Sequence, residues 1–333
     1  MKLPATRIVF SLVLLAATAA AVATPGLLGS KVAEALTTVR AADRWWLALA
    51  MAGFVGGFLA CVAAWRAALA AADGRVSFVR GAASIGVGSL ANTFAPARLG
   101  DVVKIALFSR AIDGPERVWT AGGVYASVSA ARCLSVAALV VAASVTGALP
   151  LWPVFALCVG VAVVGAVALS STRWRRYPHL VRLLAGFAAL VRSPRLAARV
   201  LGWSLATSLL RLGAVAALAA ALGLHDPLLA ALVICPALDL AGAIPLTPGN
   251  VGIASGAVAV ALQSRGIGVT HALAVGIAIQ ALETAVAIVA GTAGALFFAR
   301  PARFARAWMI RPAAIGLAVA ASAALGAVVL DLV

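Results

Sequence analysis

Charge is what this sequence has least of. Only 11% of its 333 residues are charged, and just 10 are acidic. Soluble domains carry about 25% charged residues, so a water-facing surface of ordinary extent is excluded. No hydrophilic stretch is long enough to form a soluble domain; the longest polar segment covers residues 171–199. Cysteine offers little either. Cys61, Cys133, Cys158 and Cys235 all sit in apolar runs without C-x-x-C or zinc-type spacing, so they read as small buried residues that say nothing of redox compartment. His179, His225 and His271 lie far apart without ligand-spaced partners, so neither a metal nor another cofactor is expected. The chain also lacks G-x-S-x-G, P-loop and H-E-x-x-H motifs.

What fills the sequence instead is hydrocarbon. Hydrophobic residues make up 64%, mean hydropathy is +1.09, and several runs exceed the roughly 20 residues needed to cross a bilayer. The expectation is an all-α polytopic membrane protein, with residues 1–333 forming a single integral membrane domain. The net charge of +16 points to nucleic acid only until its distribution is read. Arg173, Arg175, Arg176, Arg182, Arg192, Arg195 and Arg199 gather in one inter-span segment, and Arg300, Arg303, Arg306 and Arg311 in another. That is the positive-inside pattern of cytoplasmic loops, in a protein of the cytoplasmic membrane. Lys2 and Arg7 precede an apolar run whose Ala21-Val22-Ala23 imitates a signal-peptidase site. Because the run continues to Gly29, it is expected to be an uncleaved first span with a cytoplasmic N-terminus.

Seven full spans are expected, at residues 8–29, 45–72, 118–149, 152–170, 196–222, 270–298 and 313–332, which places the C-terminus outside. Two regions do not fit that alternation. Residues 78–112 have basic flanks on both sides, and residues 227–268 have flanks that must both be external. Each is interrupted near its middle, by Pro96 and by Pro245 and Pro248, and proline removes a backbone donor and breaks a helix. Each therefore reads as a broken, re-entrant helical hairpin, and the pair has the layout of inverted repeats around a transporter-type site. For the first region a second reading stands open: residues 101–112 also suit an amphipathic helix on the membrane surface, with Lys104 and Arg110 snorkelling. Gly86-x-Gly88-x-x-Ala91 matches a dinucleotide fingerprint only formally, since no strand precedes it; close helix packing is the better reading of those small residues.

Four ionisable residues fall inside the apolar segments: Arg132, Arg211, Asp239 and Glu283. Each costs roughly 2.5–3.5 kcal/mol at a helix centre unless paired or hydrated. Two cations and two anions can neutralise one another and merely orient helices; alternatively they line a polar cavity for an anionic headgroup, with a carboxylate for charge balance or proton coupling. The breaks favour phosphate. A helix starting just after each break offers free N–H groups, with glycine permitting close approach at Gly100, Gly249 and Gly252. Arg98 and Lys104 add cationic donors, and Asn92, Thr247 and Asn250 neutral ones. Asp101 near the start of its helix either caps it or holds Arg98.

Asn92-x-x-x-Pro96-x-Arg98-x-Gly100-Asp101-x-x-Lys104 resembles the N…P-x-R-x-G-E-x-x-R element of the lysylphosphatidylglycerol synthase/flippase membrane-domain family. Pro245-x-Thr247-Pro248-Gly249-Asn250-x-Gly252 resembles that family's P-x-T-P-G-G-x-G element, and Arg132 stands where the family often has Arg. Asp101 and Lys104 replace Glu and Arg. A family Glu after the second motif is here Ser255, and Ala131 and Ser135 stand where acidic residues commonly flank the arginine, so either Asp239 or Glu283 serves as a coupling carboxylate or the protein lacks that step. Nothing in the sequence resembles the soluble aminoacyl-transfer domain of the full synthases, so lipid lysylation is not expected.

The resemblance implies translocation of a charged or phosphate-bearing lipid, or assistance to polyisoprenoid or glycolipid export; an enzyme is not expected. A membrane glycosyl or phosphoryl transferase using a polyprenyl-phosphate donor is the enzymatic rival, with Glu34 and Asp43 the acidic residues of the first outer loop. A non-transporting partner in a lipid-modification complex is another. The expected partners are an anionic or polyprenyl-linked membrane lipid and, for assembly, a second copy or a lipid-biosynthetic protein; nucleic acid is not expected.

Overall fold

The computed structural model describes residues 42–94, 98–151, 153–155, 158–159, 192–243 and 253–299, and every regular element among them is an α-helix. They run α1 (Arg44–Ala71), α2 (Phe78–Phe94), α3 (Leu99–Ser109), α4 (Arg117–Val145), α5 (Pro194–Ala221), α6 (Pro227–Ala243), α7 (Ile253–Gln263) and α8 (Val269–Ala299). Their boundaries follow local chemistry. Asp43 accepts the backbone N–H of Trp45 at 2.8 Å and so caps α1. Pro194 occupies the first turn of α5, where its missing donor costs nothing. Gly223 and Gly266 take φ of 76° and 77° just past α5 and α7, the left-handed step that ends a helix with glycine.

Four helices, α1, α4, α5 and α8, are long and apolar enough to cross a membrane. They coincide with the spans expected at 45–72, 118–149, 196–222 and 270–298. The spans expected at 8–29 and 313–332 lie outside the described residues, as does that at 152–170 apart from two short helical pieces. Trp45 is 86% exposed at the head of α1, as suits an interfacial aromatic. Cys133 and Cys158 face outward rather than inward; burial is not needed where the outside is hydrocarbon. Cys235 is buried.

Helix lengths repeat in order. α1 to α4 measure 28, 17, 11 and 29 residues, and α5 to α8 measure 28, 17, 11 and 31. Two apolar cores form. One gathers Val62, Trp65, Ile85, Phe108 and Val124 from α1–α4, joined by Val200 of α5; the other gathers Val215, Ile234, Val258 and Ile279 from α5–α8, joined by Phe54 of α1 and Leu139 of α4. The first helices of the two sets pack together and run antiparallel. Asp43 at the head of α1 donates its N–H to the Ala221 carbonyl at the foot of α5, at 3.1 Å. Gly53 lies against Ala214, and Gly57 against Thr207. Lipid offers no hydrophobic drive for such contact, so a Gly-x-x-x-Gly face that brings two backbones together supplies it through dispersion.

Small residues close a second seam, between α2 and α8. A Cβ built on Gly86 would strike the Ala290 carbonyl, and one on Gly294 the Ala83 carbonyl. The glycines of the false dinucleotide fingerprint are packing positions. α3 then folds back along α2: Asn92 meets Asp101, and Gly88 meets Lys104. α3 is anchored in the bundle through Phe108, which is buried and stacks on Trp65 with centroids 4.6 Å apart. The helix is therefore docked on the bundle and folded back on α2, with Lys104 turned inward to Asp101.

Candidate functional site

Two polar networks sit inside this apolar framework, and α4 joins them. Tyr125 and Arg132 are seven residues apart on α4, two helical turns, so they share a face about 10 Å apart.

The first network belongs to α2, α3 and α4. Asp101 Oδ1 accepts from Asn92 Nδ2 and from Lys104 Nζ, each at 3.0 Å, and Oδ2 accepts from the Tyr125 hydroxyl at 3.0 Å. Tyr125 is held in place by Trp65, whose ring lies 6.0 Å away. Both members of the Asp101–Lys104 pair are largely buried. Gly100 is where the hairpin closes: any Cβ there would overlap the Gly88 carbonyl and the Asn92 amide. Among the described residues, the buried Asn92 Oδ1 has no hydrogen-bond partner, an omission that costs about 1–3 kcal/mol. Asp101 was expected to cap its helix or hold Arg98. It does neither; the N-cap is Arg98, without a side-chain cap bond.

The second network draws on four helices. Asp239 Oδ1, on α6, accepts from Arg132 Nη2 at 2.7 Å and from Arg211 Nη1 at 2.9 Å. Arg211, on α5, also donates its Nε to Glu283 Oε1 of α8 at 2.8 Å. The result is a chain Arg132–Asp239–Arg211–Glu283 with two charges of each sign. The four intramembrane ionisable residues found in the sequence are thus brought together and neutralise one another. Arg132 is the outlying member, its side chain 57% exposed against 19% for Arg211. Pro236, one turn before Asp239, removes a backbone donor inside α6.

Arg98 connects the two networks. It stands between α2 and α3 with φ 54° and ψ 37°, in the left-handed region, a conformation costing a non-glycine residue about 1–2 kcal/mol. Its guanidinium donates to the backbone carbonyl of Gly242, one turn beyond Asp239 on α6. Among the described residues no carboxylate pairs with Arg98, whereas Lys104, Arg132 and Arg211 each have one. With the other charges matched, Arg98 leaves the site with one net positive charge.

Pro96, Pro245, Thr247, Pro248, Gly249, Asn250 and Gly252 lie outside the described residues. Where the family's additional carboxylates would stand, Ala131 and Ser135 are buried, the Ser135 hydroxyl bonding back to the Ala131 carbonyl at 2.9 Å. Ser255 lies against Gly276 of α8. Asp43 serves as a helix cap, and Glu34 falls outside the described residues. No cluster of three or more His, Cys, Asp or Glu gathers among the described residues. Sequence reading missed Tyr125. A hydroxyl two turns before an intramembrane arginine, in a chain with only 2 tyrosines, was the available signal.

No curated protein matches the chain. A family model described as the lysylphosphatidylglycerol synthase TM region matches residues 5–291, a range that holds every member of both networks. This is a multi-pass membrane protein of a lipid-related family, and the chain belongs to the lysylphosphatidylglycerol synthase transmembrane-region family.

Proposed function

We propose that the protein is a lipid translocator of the cytoplasmic membrane, moving a phosphate-bearing phospholipid or polyprenyl-linked lipid between leaflets. The repeated order of helix lengths and the antiparallel α1–α5 contact support a pair of inverted repeats, with α2–α3 and α6–α7 as the re-entrant arms. In this reading the headgroup enters between the arms while the chains stay in the bilayer. The N-terminus is cytoplasmic and the C-terminus external.

The observation that carries the reading is Arg98. It is a cation held in a strained backbone between two arms, matched by no described carboxylate and bonded to a mere carbonyl. A phosphate offers the guanidinium a full opposite charge and two oxygens for a bidentate contact, where the Gly242 carbonyl offers a single dipole, so an arriving headgroup displaces Gly242 as the partner. That exchange loosens the junction between the arms and gives the lipid a path. Arg132 is the next cation met, being the exposed end of its chain. Asp239, Arg211 and Glu283 keep the charge balanced while the helices shift, and no covalent chemistry is required of any of them.

Reconstitution of the full chain in vesicles with tail-labelled fluorescent lipids tests this. Leaflet exchange of phosphatidylglycerol or a polyprenyl phosphate well above that of protein-free vesicles is the expected outcome. Exchange at the protein-free rate for every anionic lipid tried would overturn it.

A further inference from the structure

An apolar groove opens on the α2–α8 seam, away from both networks. It offers about 510 Å³ beside the start of α2 and the end of α8, with Phe58 from the middle of α1 on its wall. Its floor is made of small residues, among them Ala83 and Gly294, and its rim of large ones: Phe58, Val79, Leu296 and Phe297. The trough follows from the packing. α2 and α8 meet closely through glycine and alanine, and where the seam ends the bulkier rim side chains stand clear of the floor.

The lining carries no charge, but cations stand close to Phe78 and Val79 at the start of α2. Arg66 is fixed at the α1–α2 corner. Its Nε donates to the Val76 carbonyl at 3.1 Å, and its guanidinium lies 5.6 Å from the Phe78 ring centre. Its stem runs beside Gly81. Arg75 and Arg80 accompany it, and Asp73 is the single acidic residue between positions 66 and 80. An apolar furrow leading to a net positive corner has the polarity of a lipid read from tail to phosphate.

We infer that this groove binds one hydrocarbon chain of an anionic phospholipid, whose phosphate rests at Arg66, Arg75 and Arg80. The inference rests on the translocator reading for the choice of an anionic lipid and adds the place where that lipid docks. The same two helices carry the networks deeper in. Asn92 lies nine residues beyond Ala83 on α2, about 13 Å, and Glu283 seven residues before Ala290 on α8, about 10 Å. A lipid seated here is held at the foot of both helices that lead to the charged site.

The test is photolabelling of the full chain in vesicles, with phosphatidylglycerol carrying a diazirine in mid-chain and phosphatidylcholine with the same chain. The expected result is labelling concentrated in the α2 start and α8 end. It exceeds that on the outward faces of α4 (Leu134, Val141) and α5 (Leu201, Leu205), and is about fivefold stronger for phosphatidylglycerol, the weight of roughly one arginine–phosphate contact. Ala293→Phe, which fills the exposed floor, should remove the excess while the melting temperature holds. Labelling equal to that of the α4 and α5 faces means annular lipid only and overturns the inference. So does equal labelling by the two lipids, or labelling indifferent to Ala293→Phe in folded protein. Leaflet exchange is not needed for labelling, so a chain that labels here but fails to exchange lipid would sink the translocator reading and leave the groove standing.

Discussion

The two pairs of shorter helices have identical lengths and different ways of handling charge. In α2–α3 the carboxylate is satisfied close to home: Asp101 takes Lys104 from its own helix and Asn92 from the other arm, with Tyr125 of α4 as the outside partner. In α6–α7 the carboxylate is satisfied only at a distance. Asp239 has Arg132 and Arg211 as partners, 107 and 28 positions away, and Glu283 completes the chain from α8. In its charge pairing the first unit is nearly self-contained, whereas the second is tied to other helices through its ion pairs. Equal lengths with unequal wiring imply that shifting the first arm disturbs mainly apolar contacts, at Phe108 and along the α2–α8 seam, while shifting the second unmakes ion pairs.

Substitutions that strike the distant wiring should therefore cost most. Asp239→Ala leaves Arg132 and Arg211 without their shared partner, and breaking a buried pair costs about 3–5 kcal/mol. The melting temperature of purified protein should fall further than for any other single charge removal. A fall no larger than that of Asp101→Asn would erase the contrast between the arms. Next comes the α2–α8 seam. Gly294→Leu puts a side chain where the Ala83 backbone already lies, an overpacking worth about 1–3 kcal/mol, and denaturant midpoints in detergent should shift accordingly. Asp101→Asn sharpens the comparison from the other side. It keeps the shape but replaces one acceptor oxygen with a donor, so the Tyr125 hydroxyl must turn to accept while Lys104 loses its anion, and a loss of about 1–3 kcal/mol is expected. An effect as large as that of Asp239→Ala would show that the first hairpin is not self-contained.

How far the sequence could be read depends on the range of the interaction. α1, α4, α5 and α8 were legible because a span is a local property: a long apolar run bounded by interfacial or basic residues. The hairpin nature of residues 78–112 was only half legible. Its proline and charges suited a surface helix equally well, and what docks it on the bundle is Phe108 stacking on Trp65, 43 positions away in the chain. The four intramembrane charges were visible as expensive residues, but their pairing was not, since no pattern within α4 announces that Arg132 faces Asp239. Arg98 was marked as a phosphate donor from its place beside Pro96. That its present partner is the Gly242 carbonyl could not be read, because a backbone acceptor has no signature in sequence.

The central claim is that Arg98 binds the headgroup and holds the arms together, and Arg98→Gly addresses it most directly. Glycine accepts the left-handed backbone freely, a relief of about 1–2 kcal/mol that offsets the lost bond to Gly242, so stability should stay near that of the parent. The measurement is leaflet exchange of labelled phosphatidylglycerol by Arg98→Gly against the parent protein, with melting temperatures recorded alongside. The account predicts at least a roughly tenfold slower exchange from a protein that melts near the parent temperature, tenfold being the weight of about 1.4 kcal/mol of lost headgroup binding. Exchange at the parent rate from a folded Arg98→Gly protein would contradict it.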